Sequence, residues 1–200
     1  MRSSMVFTDR ENWNGGFYEL SLELGDRDDD RLQLALTALW GAAAGTGCYG
    51  SRDREPADQI EIPVTVASFE EFGHLRGIVR LPLGGSVVCG CFSTRSDDGE
   101  DWLTFYLPLG ALAALDSRIG GFPFGPGSEP QALVWRASLD TWLASVADQV
   151  FRQVDFRLGL IGFEVDYTNA AELDGVVPEQ RWNGYLLPAD GQLRYTPANH

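Results

Sequence analysis

The chain contains no lysine and only two histidines, His74 and His200. These absences remove whole classes of chemistry. A P-loop needs its lysine on the phosphates, and Schiff-base chemistry needs a lysine amine. A zinc-protease helix needs two histidines four residues apart. A Ser-His-Asp triad would rest on His74 alone, because a histidine at position 200 closes the chain and terminal residues are rarely held rigidly. Long apolar runs are missing too. The longest, Leu32 to Ala44, carries Gln33 and Thr37 and is too short to cross a bilayer. Met1 to Arg10 lacks the apolar stretch of a signal peptide, and three cysteines, an odd number, do not read as a disulfide framework. With basic charge supplied only by arginine, as a GC-rich genome would give, the expectation is a bacterial cytoplasmic protein.

What is present is acid. Twenty-nine Asp and Glu against 15 Arg give a net charge of −14, spread over both halves of the chain. Such a field repels phosphate backbones, so neither nucleic acid nor an anionic membrane is expected as a partner. A basic protein partner is compatible with it, although solubility alone is the plainer explanation. At 44% apolar and 12% aromatic there is ample material for a core, and residues 1–200 fit one globular domain.

Phe17 to Leu24 alternates apolar and polar residues and predicts a half-buried strand. Asp26 to Asp30 supplies acids and a cap for a helix over Asp29 to Trp40. Gly41 to Gly50 and Ser51 to Gln59 read as loops. Strands are expected at Ile60–Ala67, His74–Leu81, Ser86–Arg95 and Asp101–Leu107, with hairpin chemistry at Gly84-Gly85 and Asp97-Asp98-Gly99. A short helix over Leu109–Asp116 precedes Gly120 to Pro130, read as irregular, and a longer helix is expected over Ser138–Val154. Further strands are expected at Phe156–Val165, Gly184–Leu187 and Gln192–Tyr195. Meander order with two main helices predicts an α+β fold, with an antiparallel-dominated sheet of about five to seven strands packed against those helices.

The motifs are mostly weaker than they look. Gly45-Thr46-Gly47-Cys48-Tyr49-Gly50 fits G-x-G-x-x-G, but it follows a helix and leads into a loop, the reverse of a dinucleotide site. Cys48 has threonine where a nucleophile elbow needs glycine. Cys89 and Cys91 share a strand face, yet without paired C-x₂-C spacings they read as small buried hydrophobes, and no metal or other cofactor is expected. Asp97 to Asp101 lacks calcium-loop spacing, and Arg27 to Arg31 reads as a helix start. Glu19 and Glu23 share a face of the first strand. Glu164 and Asp166 share a face of a later one, and the apolar company of Glu164 makes it the carboxylate to watch for a raised pKa, unless that face is solvated. Arg76 and Arg80 point the same way along one strand and could grip an anion, although neighbouring carboxylates are the expected partners.

The remaining candidates are aromatics in glycine-bearing turns. Phe122 and Phe124 stand among glycines and prolines, while Trp13 and Phe17 in Trp13-Asn14-Gly15-Gly16-Phe17-Tyr18 echo Trp182 and Tyr185 in Trp182-Asn183-Gly184-Tyr185. Such residues suit contact anchors, or tuck under their own loops. The leading expectation is a non-catalytic domain that binds a basic protein, as in an immunity or antitoxin role. The alternative is a small-molecule or carbohydrate binder, or a carboxylate-dependent hydrolase, with Glu164 or Arg76 in an aromatic pocket. A self-associating homodimer is the third reading.

Overall fold

The alternation from Phe17 onward becomes β1 (Phe17–Asp26), and it decides the architecture. Tyr18, Leu20, Leu22 and Leu24 enter the main core on one face, while Glu19, Ser21 and Glu23 occupy the other. The fold is described by a computed structural model over residues 6–82, 84–95, 99–116, 119, 129–166 and 168–200, with the side chains of 129–132 excepted. Asp28 caps α1 (Asp29–Ala42), its carboxylate accepting from the amides of Asp30 and Arg31 at 3.0 Å each. The chain continues through β2 (Thr46–Tyr49), α2 (Val66–Phe72), β3 (Leu75–Arg80), β4 (Ser86–Arg95), β5 (Glu100–Pro108) and α3 (Leu109–Leu115). It closes with α4 (Glu129–Phe151), β6 (Leu158–Phe163), α5 (Ala170–Leu173), β7 (Gly184–Ala189) and β8 (Gln192–Thr196).

The protein is α+β, built on one eight-stranded antiparallel sheet ordered β2-β3-β4-β5-β1-β6-β7-β8, slightly more strands than expected. The stripes Leu32, Ala35, Leu36, Leu39 of α1 and Leu139, Leu143, Val146, Val150 of α4 pack on the Tyr18 face. On the opposite face the stretch after β6 folds back, and Val165, Leu173 and Tyr185 form a second cluster with Trp102, Leu158 and Leu160. Among the described residues, no helix is long and apolar enough to cross a membrane.

Three expectations need correction. Ile60–Ala67 is not a strand: Pro63 has no N–H for a ladder, and Thr65 instead caps α2 through Ser68 N at 3.3 Å. Part of the supposed Gly41–Gly50 loop is the edge strand β2, paired with β3 across a register shift. The long helix begins at Glu129 rather than Ser138, since Pro130 falls in its first turn, where the missing N–H costs nothing. The two echoing turns enter β1 and β7 at the same end of the sheet, but β6 lies between those strands.

Candidate functional site

Register brings chemistry together on the face opposite α1 and α4. Arg76 of β3 pairs with Gly90 of β4, Gly90 with Tyr106 of β5, Tyr106 with Glu19 of β1, and Glu19 with Gly162 of β6. Gly90 is what lets Tyr106 lie flat across its neighbour: a Cβ there would sit 2.3 Å from the phenol oxygen. The phenol thereby reaches His74, which follows the glycine terminating α2, at 3.1 Å from Nδ1. Phe17 stacks on Tyr106 with centroids 4.2 Å apart, and Phe92 lies 4.9 Å from the imidazole.

Arg76 closes this group from the β3 side. Its Nη1 donates to the carbonyls of Gly50 at 2.7 Å and His74 at 3.1 Å, while its Nε is buried with no acceptor. The expected pairing with carboxylates does not occur: neither Arg76 nor Arg80 makes an ion pair among the described residues. Burial, helped by the charges of Arg76 and Arg52, holds the His74 pKa below the usual histidine value, so the ring is neutral at pH 7. Burial likewise raises Tyr106, which keeps its proton, and lowers Arg76, which stays charged because guanidinium starts so high.

Arg52 links this cluster to a cleft of about 610 Å³ lined by Phe7, Thr8, Arg10, Trp13, Asn14, Arg52 and Asp53. The cleft wall is well fixed. The Glu55 carboxylate accepts from Val6 N, Phe7 N, Thr8 N and the Thr8 hydroxyl at 2.6–3.2 Å. Burial pushes the Glu55 pKa up, but those four donors outweigh it and leave the value lowered. Trp13 Nε1 donates to Phe7 O at 2.7 Å and packs edge-on against the Phe7 ring.

The buried carboxylates lie further along the face. Glu19 is 4% exposed, and its carboxylate accepts from Val165 N at 3.3 Å; burial raises its pKa to about 7, with Glu164 adding to the shift. Glu23 accepts from Ala170 N at 2.7 Å, and burial raises it as well. Glu164 itself is exposed beyond the end of β6, in the left-handed region at φ 40. The buried carboxylate of this neighbourhood is therefore Glu19, not Glu164. On the other face, Tyr18, Arg136 and Asp140 form an interior network: the phenol donates to Asp140, and Arg136 Nε donates to the phenol at 2.8 Å.

The sequence candidates separate on this frame. Trp13, Phe17 and Arg76 come to the cleft and the row beside it. Arg80 is exposed at the far end of β3, Trp182 stacks on His200, and Tyr185 is buried in the second cluster. Phe122 and Phe124 lie outside the described residues. The sequence placed His74 only at the start of a strand and singled out none of Tyr106, Arg10 and Arg52. The available signal was Gly90 within Cys89-Gly90-Cys91, a strand glycine that marks a close approach from a neighbour. Cys48, Cys89 and Cys91 are buried free thiols, and burial pushes Cys48 up to about 11, which keeps it protonated. Among the described residues no group of three or more His, Cys, Asp or Glu side chains is placed to hold a metal ion. Comparison with protein-family models, with curated proteins and with solved structures finds no match.

Proposed function

We propose that the protein binds a small organic ligand in the cleft between Trp13 and Arg52, with Arg76, His74 and Tyr106 as polar groups beside it. One observation carries the reading. Arg10 and Arg52 line one cleft with Trp13, and among the described residues neither forms an ion pair, in a chain with 29 acids to choose from. Guanidinium groups without a carboxylate partner on one cleft wall are donors that a ligand acceptor would engage. The cleft volume falls in the range that takes metabolite-sized ligands, and the lining is mainly polar with Trp13 as its accessible aromatic. A metabolite panel scored by thermal stabilisation tests this. Compounds that raise the melting temperature of the wild type are expected to raise that of Trp13→Ala much less. No stabilising compound, or equal stabilisation of both proteins, would sink the reading.

A second reading, capture of a basic protein, is favoured by the opposite end of the sheet. There Asp26, Asp28, Asp29 and Asp30 stand exposed around the start of α1. Charge of one sign steers association and makes its rate salt-dependent. A partner recovered at low salt should associate more slowly with Asp30→Arg and more slowly in high salt. Unchanged rates in both tests would rule this surface out.

A further inference from the structure

The cleft is a cationic island in an acidic molecule, and this limits what it can hold. Among the described residues, eight acids are tied to guanidinium groups in ion pairs, concentrated around Arg95 and Arg157. Arg10, Arg52 and Arg76 take no part in any of them. Arg10 and Arg52 line the cleft together, and Arg52 lies close enough to Arg76 and His74 to depress both pKa values. Asp53 is the acid on the cleft wall, and Glu55 beside it already accepts four hydrogen bonds from Val6, Phe7 and Thr8. Glu55 keeps its charge, since its donors are neutral, so three guanidinium groups face the carboxylates of Asp53 and Glu55, an excess of one positive charge in a chain that carries −14.

We infer that the ligand carries an oxyanion group, a phosphate or a carboxylate, held by Arg10 and Arg52. The inference rests on the ligand-binding reading above and names its substrate class. Guanidinium offers a planar fork of donors that fits both kinds of oxyanion, and neutral ligands give these charges nothing. His74, neutral at pH 7, adds a hydrogen-bonding nitrogen without a further charge, and its Nδ1 is already engaged by Tyr106. The half-buried Trp13 ring, backed edge-on by the buried Phe7, supplies a wall for a flat apolar portion attached to the anion.

Calorimetric titration at constant ionic strength with phenyl phosphate, benzoate and phenol tests the class. One or both anions should bind the wild type and phenol should not, and the better anion separates a phosphate ligand from a carboxylate one. Arg10→Gln and Arg52→Gln, both at exposed positions, should each weaken anion binding about tenfold or more. Arg76→Lys keeps a positive charge, which lies off the cleft wall, and should weaken binding less than either. Arg194→Gln removes an equal charge from β8, at the other edge of the sheet, and should bind like the wild type. Phenol binding as well as the anions, or anion binding unchanged in Arg52→Gln, would overturn the oxyanion class while leaving a ligand cleft in place. If none of the three probes binds the wild type, the oxyanion inference falls. The neutral members of the metabolite panel then decide whether the cleft binds anything.

Discussion

Glu19 shows how far one side chain can set the behaviour of this protein. It lies under the chain that returns after β6, 4% exposed, and its pKa is raised to about 7 from 4.5, chiefly by burial. Between those values the folded protein keeps a proton that the unfolded chain gives up. Stability from this group is therefore full below pH 4.5, falls as pH rises through the window and is level above about 7. The shift corresponds to about 3 kcal/mol. Glu19→Gln can still accept from Val165 N and has no charge to bury. Its unfolding free energy from urea titration should match the wild type in acid and exceed it by up to about 3 kcal/mol at about pH 8. Asp140, raised to about 6 by burial, and His74, lowered, titrate in both proteins and cancel from the comparison. Parallel curves across the whole range would show that Glu19 ionises freely.

Two glycines make an equally local contrast. Gly41 of α1 has open space where a Cβ would go and no special backbone angle, so Gly41→Ala should stabilise by about 0.5–1 kcal/mol. Gly90→Ala drives a methyl into the Tyr106 ring and should cost about 1–3 kcal/mol. Chemical denaturation of the two variants checks both signs at once. The importance of Gly90 could not be read from the sequence, because its partner across the ladder is named only by the register of β4 against β5. Glu164 was singled out by the same limitation: its apolar neighbours in sequence point elsewhere once β6 ends at Phe163.

At the scale of elements, legibility follows how much of each segment's structure is decided locally. β1, β4 at Ser86–Arg95 and the start of α1 were readable because the alternation from Phe17, the turn glycines Gly84-Gly85 and the Asp28 cap all lie in or next to their segments. β2 was not, because Thr46–Tyr49 is a strand only by virtue of β3 beside it. The site straddles this divide. Trp13, Phe17 and Arg76 carried local signals, whereas Arg10 and Arg52 meet only through the anchoring of the N-terminal segment by Glu55. That segment depends on a further contact. A Cβ on Gly110 would sit 1.8 Å from the carbonyl oxygen of Glu11, so α3 and the 3-10 turn Arg10–Trp13 touch backbone to backbone. Gly110→Ala should cost at least as much as Gly90→Ala, despite about 1 kcal/mol of helix propensity in its favour. Limited proteolysis should then cut near Arg10, and equal protease resistance of variant and wild type would refute the contact.

α4 is held to β1 by a polar lock rather than by packing alone. Arg136 and Asp140, 3% and 4% exposed, share the Tyr18 phenol, and Arg136 Nη2 also donates to Trp182 O at 2.7 Å. Arg136→Met strands a buried carboxylate and should cost about 3–5 kcal/mol. Removing both charges with Arg136→Met and Asp140→Leu should recover much of that loss, because an apolar pair leaves no ion without a partner. A double variant no more stable than Arg136→Met alone would mean that the bonds from Arg136 to the chain around Trp182 matter more than the charges.

For the whole molecule, the net charge of −14 and the arginine networks pull in opposite directions as salt is added. Screening relieves the self-repulsion of the folded chain but also weakens Arg157 with Asp26 and Glu100, and Arg95 with Asp29 and Asp101. Magnitudes decide the sign. Exposed pairs are worth about 0–1 kcal/mol each, and Asp26 and Asp29 are largely solvated, so the networks lose little. The surplus of acids is spread over both halves of the chain, and repulsion between exposed charges further apart than the Debye length of about 10 Å at 0.1 M is largely screened. Sodium chloride from low ionic strength to a few tenths molar should therefore raise the urea midpoint. The cleft should respond differently. The surrounding acids repel an incoming anion over long range, while its contacts with Arg10 and Arg52 are short, so moderate salt should cost anion affinity less than a uniformly basic surface would lose. A stability that falls with salt, together with anion affinity that collapses, would mean that the local ion pairs dominate the field of the whole.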